Sequence, residues 1–112
     1  MTTRYEKASL TLSAAAQTLY TVPSGVDTAI VMFGVCNNVT TDTTLTLHVV
    51  DSGGSVAATN QYITTQTVAS ATPNPLDAIT GMVLETGDFI SALAADADRL
   101  NIRIGILEIL ST

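Results

Sequence analysis

The chain has 112 residues, a length that fits one domain with a core of its own and calls for neither disulfide nor metal. Hydrophobic residues make up 46%, yet charged residues only 12%, about half the usual share, and Thr, Ser, Asn and Gln supply the missing polarity. Ten acidic against four basic residues leave a formal charge of −6, which excludes nucleic-acid binding through a basic patch and argues against docking on an anionic membrane.

Residues 1–8 are polar and read as an amino-terminal arm ahead of the first strand, "SLTL" (9–12). "SAAAQT" (13–18) holds helix-forming alanines but is too short to stand as a helix, and it runs into the strand "TLYTV" (18–22). "VPSG" is a turn, with Pro23 presetting φ at its second position and Gly25 ending it. The long strand "DTAIVMFGVCN" (27–37) follows, then a polar turn, then "TLTLHVVD" (44–51). That strand alternates cleanly, with Leu45, Leu47 and Val49 on one face and Thr44, Thr46 and His48 on the other. "DSGG" turns the chain into "NQYITTQTV" (60–68), a less apolar edge or outer strand. "ASATPNPLD" (69–77) is the longest loop, since its two prolines exclude a central strand. Residues 81–110 read strand, turn, strand, loop, strand, with Thr86-Gly87-Asp88 as the tight turn. Branched Thr suits a pleated surface, and turn signals recur at short intervals. The expected fold is all-β: a single antiparallel β-sandwich domain over residues 1–112, jelly-roll-like, with seven or eight strands.

Two strands break the alternation a half-exposed sheet requires. In "AIVMFGV", Ile30 and Met32 share one face while Val31, Phe33 and Val35 share the other. In "LNIRIGILEIL", Leu100, Ile102, Ile104 and Ile106 share a face, and after Gly105 the opposite face turns apolar as well, with Leu107 and Ile109. Either a β-bulge at Gly105 swaps the faces, or the second apolar face is covered by another subunit.

Chemistry is sparse. His48 is the one histidine, so no second imidazole completes a metal site, and alternation places it on the outer face as a partly exposed strand residue. Cys36, the one cysteine, ends the most apolar strand and reads as a small buried thiol rather than a nucleophile. Asp96 and Asp98 lack a third nearby acid for a calcium site, and Glu85 and Asp88 flank a turn. The segment 51–55 has two glycines but no Lys, so it is no phosphate loop, and the Asn38-Val39-Thr40 sequon reads as chance. The expectation is a non-enzymatic protein with no catalytic residue, cofactor or metal.

"LYTVPSG", the strand ending in "VCNN", "LTLHVVDSGG" and "GMVLETGDFISALAADADRLNIRIGILEI" resemble small β-sandwich structural proteins of tailed bacteriophages. The resemblance spans roughly residues 18–110 and rests on Leu19, Tyr20, Val22, Pro23 and Gly25, on Leu84, Gly87, Asp88 and Ile90, and on Leu107, Glu108 and Ile109. It implies a virion protein made in the host cytoplasm, and foremost a capsid decoration (cement) protein that binds the assembled shell as a homo-oligomer, with a trimer favoured. Its partners would be the major capsid protein or other virion proteins. The alternatives are a neck, tail or fibre component, or a host-receptor or carbohydrate-binding module. Expected contact residues are Thr2, Thr3, Arg4 and Tyr5 in the arm, Pro73, Asn74 and Pro75 in the long loop, and Leu107 and Ile109 on the last strand.

Overall fold

The computed structural model describes residues 2–38, 42–68, 73–76, 79–95 and 100–110, and of residues 36–38, 63–66, 68 and 73–75 only the backbone. Among these the chain forms nine strands: β1 (Thr2–Thr11), β2 (Gln17–Thr21), β3 (Val26–Asn38), β4 (Thr43–Val50), β5 (Gln61–Val68), β6 (Pro73–Pro75), β7 (Val83–Glu85), β8 (Phe89–Ala94) and β9 (Leu100–Leu110). One 3-10 turn, Ala58–Asn60, is the sole helical piece among the described residues.

The strands make two antiparallel sheets. The first runs β1-β9-β3 and ends on β6 and β7, which lie end to end along the far edge of β3. The second runs β2-β8-β4-β5. Each sheet is thus four strands wide, and eight strand positions match the expected count. Most connections cross from one sheet to the other, so that sequence neighbours face each other across the core. Leu45, Leu47, Ile90 and Ala92 of the second sheet pack against Val31, Leu100, Ile102, Ile104 and Ile106 of the first. Fully burying each large aliphatic side chain contributes about 1.5–3 kcal/mol.

The arm expected over residues 1–8 is, from Thr2 onward, part of β1, paired without interruption to β9 from Thr2↔Leu110 to Thr11↔Asn101. Its alternating carbonyls and amides find partners on β9, a stronger constraint on an extended polar segment than solvent. The prolines of the expected long loop do exclude a central strand, but Pro73–Pro75 form a short strand, β6, at the sheet edge rather than loop.

Two turns are zipped to each other. Val26 N–H donates to Pro23 O at 3.2 Å, so Pro23 holds the first corner of its turn rather than the second. Asp88 N–H donates to Glu85 O at 3.0 Å, closing the other turn, where Gly87 sits at φ +90°, a left-handed conformation other residues adopt at a cost. Val22 N–H donates to Asp88 O and Gly87 N–H to Val22 O, at 2.9 and 3.0 Å. The Asp88 carboxylate adds a clamp, accepting from Glu85 N and Ser52 N, each at 2.9 Å. The turn residues behind the phage resemblance therefore hold the fold together.

Glu108 is 1% exposed and points between the sheets. It accepts from Arg4 Nε on β1 at 2.5 Å and, on its other oxygen, from the Tyr20 hydroxyl on β2. One buried carboxylate thus ties β1, β9 and the opposite sheet. Removing it leaves Tyr20 without its acceptor, so Glu108→Ala should lower unfolding stability by about 3 kcal/mol and Glu108→Gln by less, measured by urea denaturation. Burial, then the bond to Glu108, pushes the Tyr20 phenol above its ordinary value. A phenol raised above its unfolded pKa of about 10 keeps its proton longer when folded, so stability present below about pH 10 is lost as pH rises beyond it. Urea midpoints taken across this range should fall less steeply for Tyr20→Phe than for the parent chain.

Candidate functional site

Register along β3 decides which side chains leave the core. Its pairing with β9 slips by one residue between Val26 and Thr28 and again between Val31 and Phe33, so Asp27 and Met32 are extra residues on β3. Each bulge flips the phase of the strand. Inward residues are therefore Val26, Ala29, Val31 and Gly34, spaced by three across each bulge, while Ile30, Phe33 and Val35 face out. The grouping of Val31 with Phe33 and Val35 is corrected accordingly. The bulge lies opposite Gly105, on β3, and β9 itself keeps its alternation: Ile102, Ile104, Ile106 and Glu108 in, Leu107 and Ile109 out.

The outer face of the five-stranded sheet then carries an apolar row from edge to edge. Tyr5 of β1 pairs with Leu107 of β9, Leu107 with Ile30 of β3, and Ile30 with Val83 of β7. Tyr5 is 74% exposed, Val83 61%, and Ile30 and Leu107 are half-buried between them. In the next row Phe33, 53% exposed, lies on Gly105, where a Cβ would collide with its ring. Ile109 sits on the other side of the row, between Thr3 and Thr28. Adjacent rows bring Lys7 and Arg103 to this face. Tyr5, Phe33 and Val83 are the most exposed large apolar side chains on this face.

The outer face of the second sheet is different. The loop between β4 and β5 reaches back to His48, which was expected to be partly exposed and is 4% exposed, while Tyr62 on β5 is 54% exposed. Its Nδ1–H donates to Ala57 O at 3.1 Å and Asn60 Oδ1 at 2.9 Å, while Asn60 accepts from Ala57 N and donates to Ser55 O. The histidine is on the expected face but roofed by its own chain.

The expected contact residues fall into separate places. Thr3 pairs with Ile109 and Tyr5 with Leu107 on the outer face, whereas Thr2 and Arg4 pair with Leu110 and Glu108 on the inner one. Pro73, Asn74 and Pro75 lie against Asn37, Cys36 and Val35, at the other end of β3 from Ile30, so they do not join the apolar row. Ile30 and Val83 in the row, and Phe33 beside it, are the residues that sequence reasoning missed. The side chain of Cys36 and residues Asp96, Asp98, Arg99, Val39 and Thr40 lie outside the described set. Among the described residues no three His, Cys, Asp or Glu side chains group as metal ligands, and no helix is long and apolar enough to cross a membrane.

No family model and no curated protein matches the chain. Among solved structures, one described as "Bacillus endospore appendages form a novel family of disulfide-linked pili" superposes with a TM-score of 0.57 at 19% identity, over 98% of this chain and 88% of that one. The cyanophage Pam1 capsid asymmetric unit gives 0.48 at 20% identity, over 97% and 85%. The first likeness is one of fold.

Because Val83 is 61% exposed, Val83→Ser should leave the unfolding free energy from urea denaturation within about 0.5 kcal/mol of the parent. Phe33→Ala should cost about 1 kcal/mol in the same measurement, since the ring shields the Gly105 backbone.

Proposed function

We propose that this chain is a non-enzymatic structural protein of a bacteriophage virion, which binds the assembled capsid as a homo-oligomer and stabilises it. The observation that carries the reading is the apolar row on the outer face of the five-stranded sheet, Tyr5-Leu107-Ile30-Val83 with Phe33 beside it. Tyr5, Phe33 and Val83 are each more than half exposed there. The sequence resemblance to small phage structural proteins supports the same reading, and the fold is compatible with assembly, since disulfide-linked pili of Bacillus endospore appendages share it. The formal charge of −6 suits the outside of a shell better than its packaged nucleic acid.

Physically, a protein that binds the assembled shell and not free capsid subunits shifts the equilibrium towards the shell by mass action. Many weak contacts, each led by an apolar patch of this kind, would sum through the lattice. His48, the one imidazole, is occupied in holding the loop over β4, which agrees with a role that needs no general base.

Quantitative mass spectrometry of purified virions should find this chain in a simple lattice ratio to the major capsid protein, and adding it to stripped capsids should raise their rupture temperature. Val83→Lys should weaken capsid binding tenfold or more without changing the protein's own melting. A handful of copies per virion would move the chain to the neck or tail. Saturable binding to host cells, with no effect on capsids, would favour a receptor or carbohydrate module and sink the decoration reading.

A further inference from the structure

Each sheet exposes two edges, and three of the four are blunted. The far edge of the first sheet is made of β6 and β7, three residues each, with Pro73 and Pro75 bounding β6. In the second sheet, β2 has five residues and a register break between Thr18 and Tyr20, while β5 meets β4 through two such breaks. Shortness, proline and bulges are the usual guards against edge pairing. β1 has none of them: ten residues, in unbroken register with β9, with every side chain from Thr2 to Lys7 exposed.

The sequence of that edge is self-complementary. In an antiparallel pairing centred on Tyr5, Arg4 of one copy stands opposite Glu6 of the other, Thr3 opposite Lys7, and Tyr5 opposite Tyr5. Arg4 and Glu6 share the inner face, where their side chains already lie 3.5 Å apart within one chain and both are half exposed. Symmetry makes the cross-chain ion pair occur twice. On the outer face, Tyr5 against Tyr5 joins two apolar rows into one that runs Val83, Ile30, Leu107, Tyr5 and back through the second copy in reverse. Arg4 is held in place for this by Glu108, which fixes β1 to the body of the fold.

We propose that two copies of this chain pair antiparallel through β1, centred on Tyr5, fusing their five-stranded sheets into one. The contact is two-fold and closes on itself, so it pairs chains in twos rather than threes. It rests on the edge strand alone and stands whether or not the protein binds a capsid.

The full chain should sediment as a dimer. Glu6→Lys should raise the dimer dissociation constant about tenfold, because two attractive pairs become repulsive, while the circular-dichroism melt shows an intact fold. Directly opposed residues of antiparallel strands have Cα atoms about 4.5–5.5 Å apart, inside the disulfide window of about 4.4–6.8 Å. Tyr5→Cys should therefore cross-link into covalent dimers on mild oxidation, beyond any that Cys36 gives in the parent chain. Thr3→Cys should not, since its counterpart lies about 13 Å further along the strand. A chain monomeric at its highest soluble concentration, a trimer, a dimer indifferent to Glu6→Lys, or equal cross-linking by both cysteine variants would each overturn the proposal.

Discussion

The pairing of β3 with β9, with Asp27 and Met32 as its two extra residues, sets what the rest of the molecule can do. Without them a strand of strict alternation would place Val31 and Phe33 on the same side, and either the core would lose Val31 or the outer face would lose Phe33. With them, the core receives Val26, Ala29, Val31 and Gly34 in the positions that meet Leu110, Glu108, Ile106 and Ile104. Gly34 allows close approach there, since a Cβ would stand 3.1 Å from Leu76 Cβ and 3.2 Å from Ile104 Cγ2. The same slips put Ile30 and Phe33 outside, level with Leu107 and Gly105. Core and outer face are thus two readings of a single register.

The carboxylate of Glu108 is the polar counterpart of that arrangement. A buried charge is tolerated only where it is bonded, and its two oxygens reach β1 through Arg4 and β2 through Tyr20. The edge strand is in consequence not an appendage that can peel away at little cost. Detaching it takes the guanidinium from a carboxylate that water cannot easily reach. The zipped turns around Val22, Gly87 and Asp88 play a similar part at the neighbouring strand ends, with backbone bonds in place of charge.

Much of this was legible in the residues. Clean alternation in β4 and the Pro-Ser-Gly and Thr-Gly-Asp turns located strands and corners for local reasons, and the prolines around Asn74 excluded a central strand there. Leu107 and Ile109 stood out as a second apolar face, and they do face outwards. What was hidden was non-local. Neither Asp27 nor Met32 is a residue type that announces a bulge, so the phase of β3 and the exposure of Phe33 could not be read. β1 looked like an arm because "TTRYEKA" is polar on both faces, and its pairing partner lies about a hundred residues away in the chain. His48 was on the expected face, but the loop that buries it has no periodicity to betray where it folds.

That loop has a further meaning. Ser52 to Thr59 are exposed, and the bonds that hold this loop to His48 and Asn60 lie within one chain, so a change to them can be compensated by another change in the same gene. On the function proposed above, Tyr5, Phe33 and Val83 stand on the side that meets a second molecule. A change there alters a fit whose other half is written elsewhere, or, at the two-fold edge, is written twice by the same mutation. On that reading the two broad sides of this sandwich drift at different speeds: one alone, the other only in step with its counterpart.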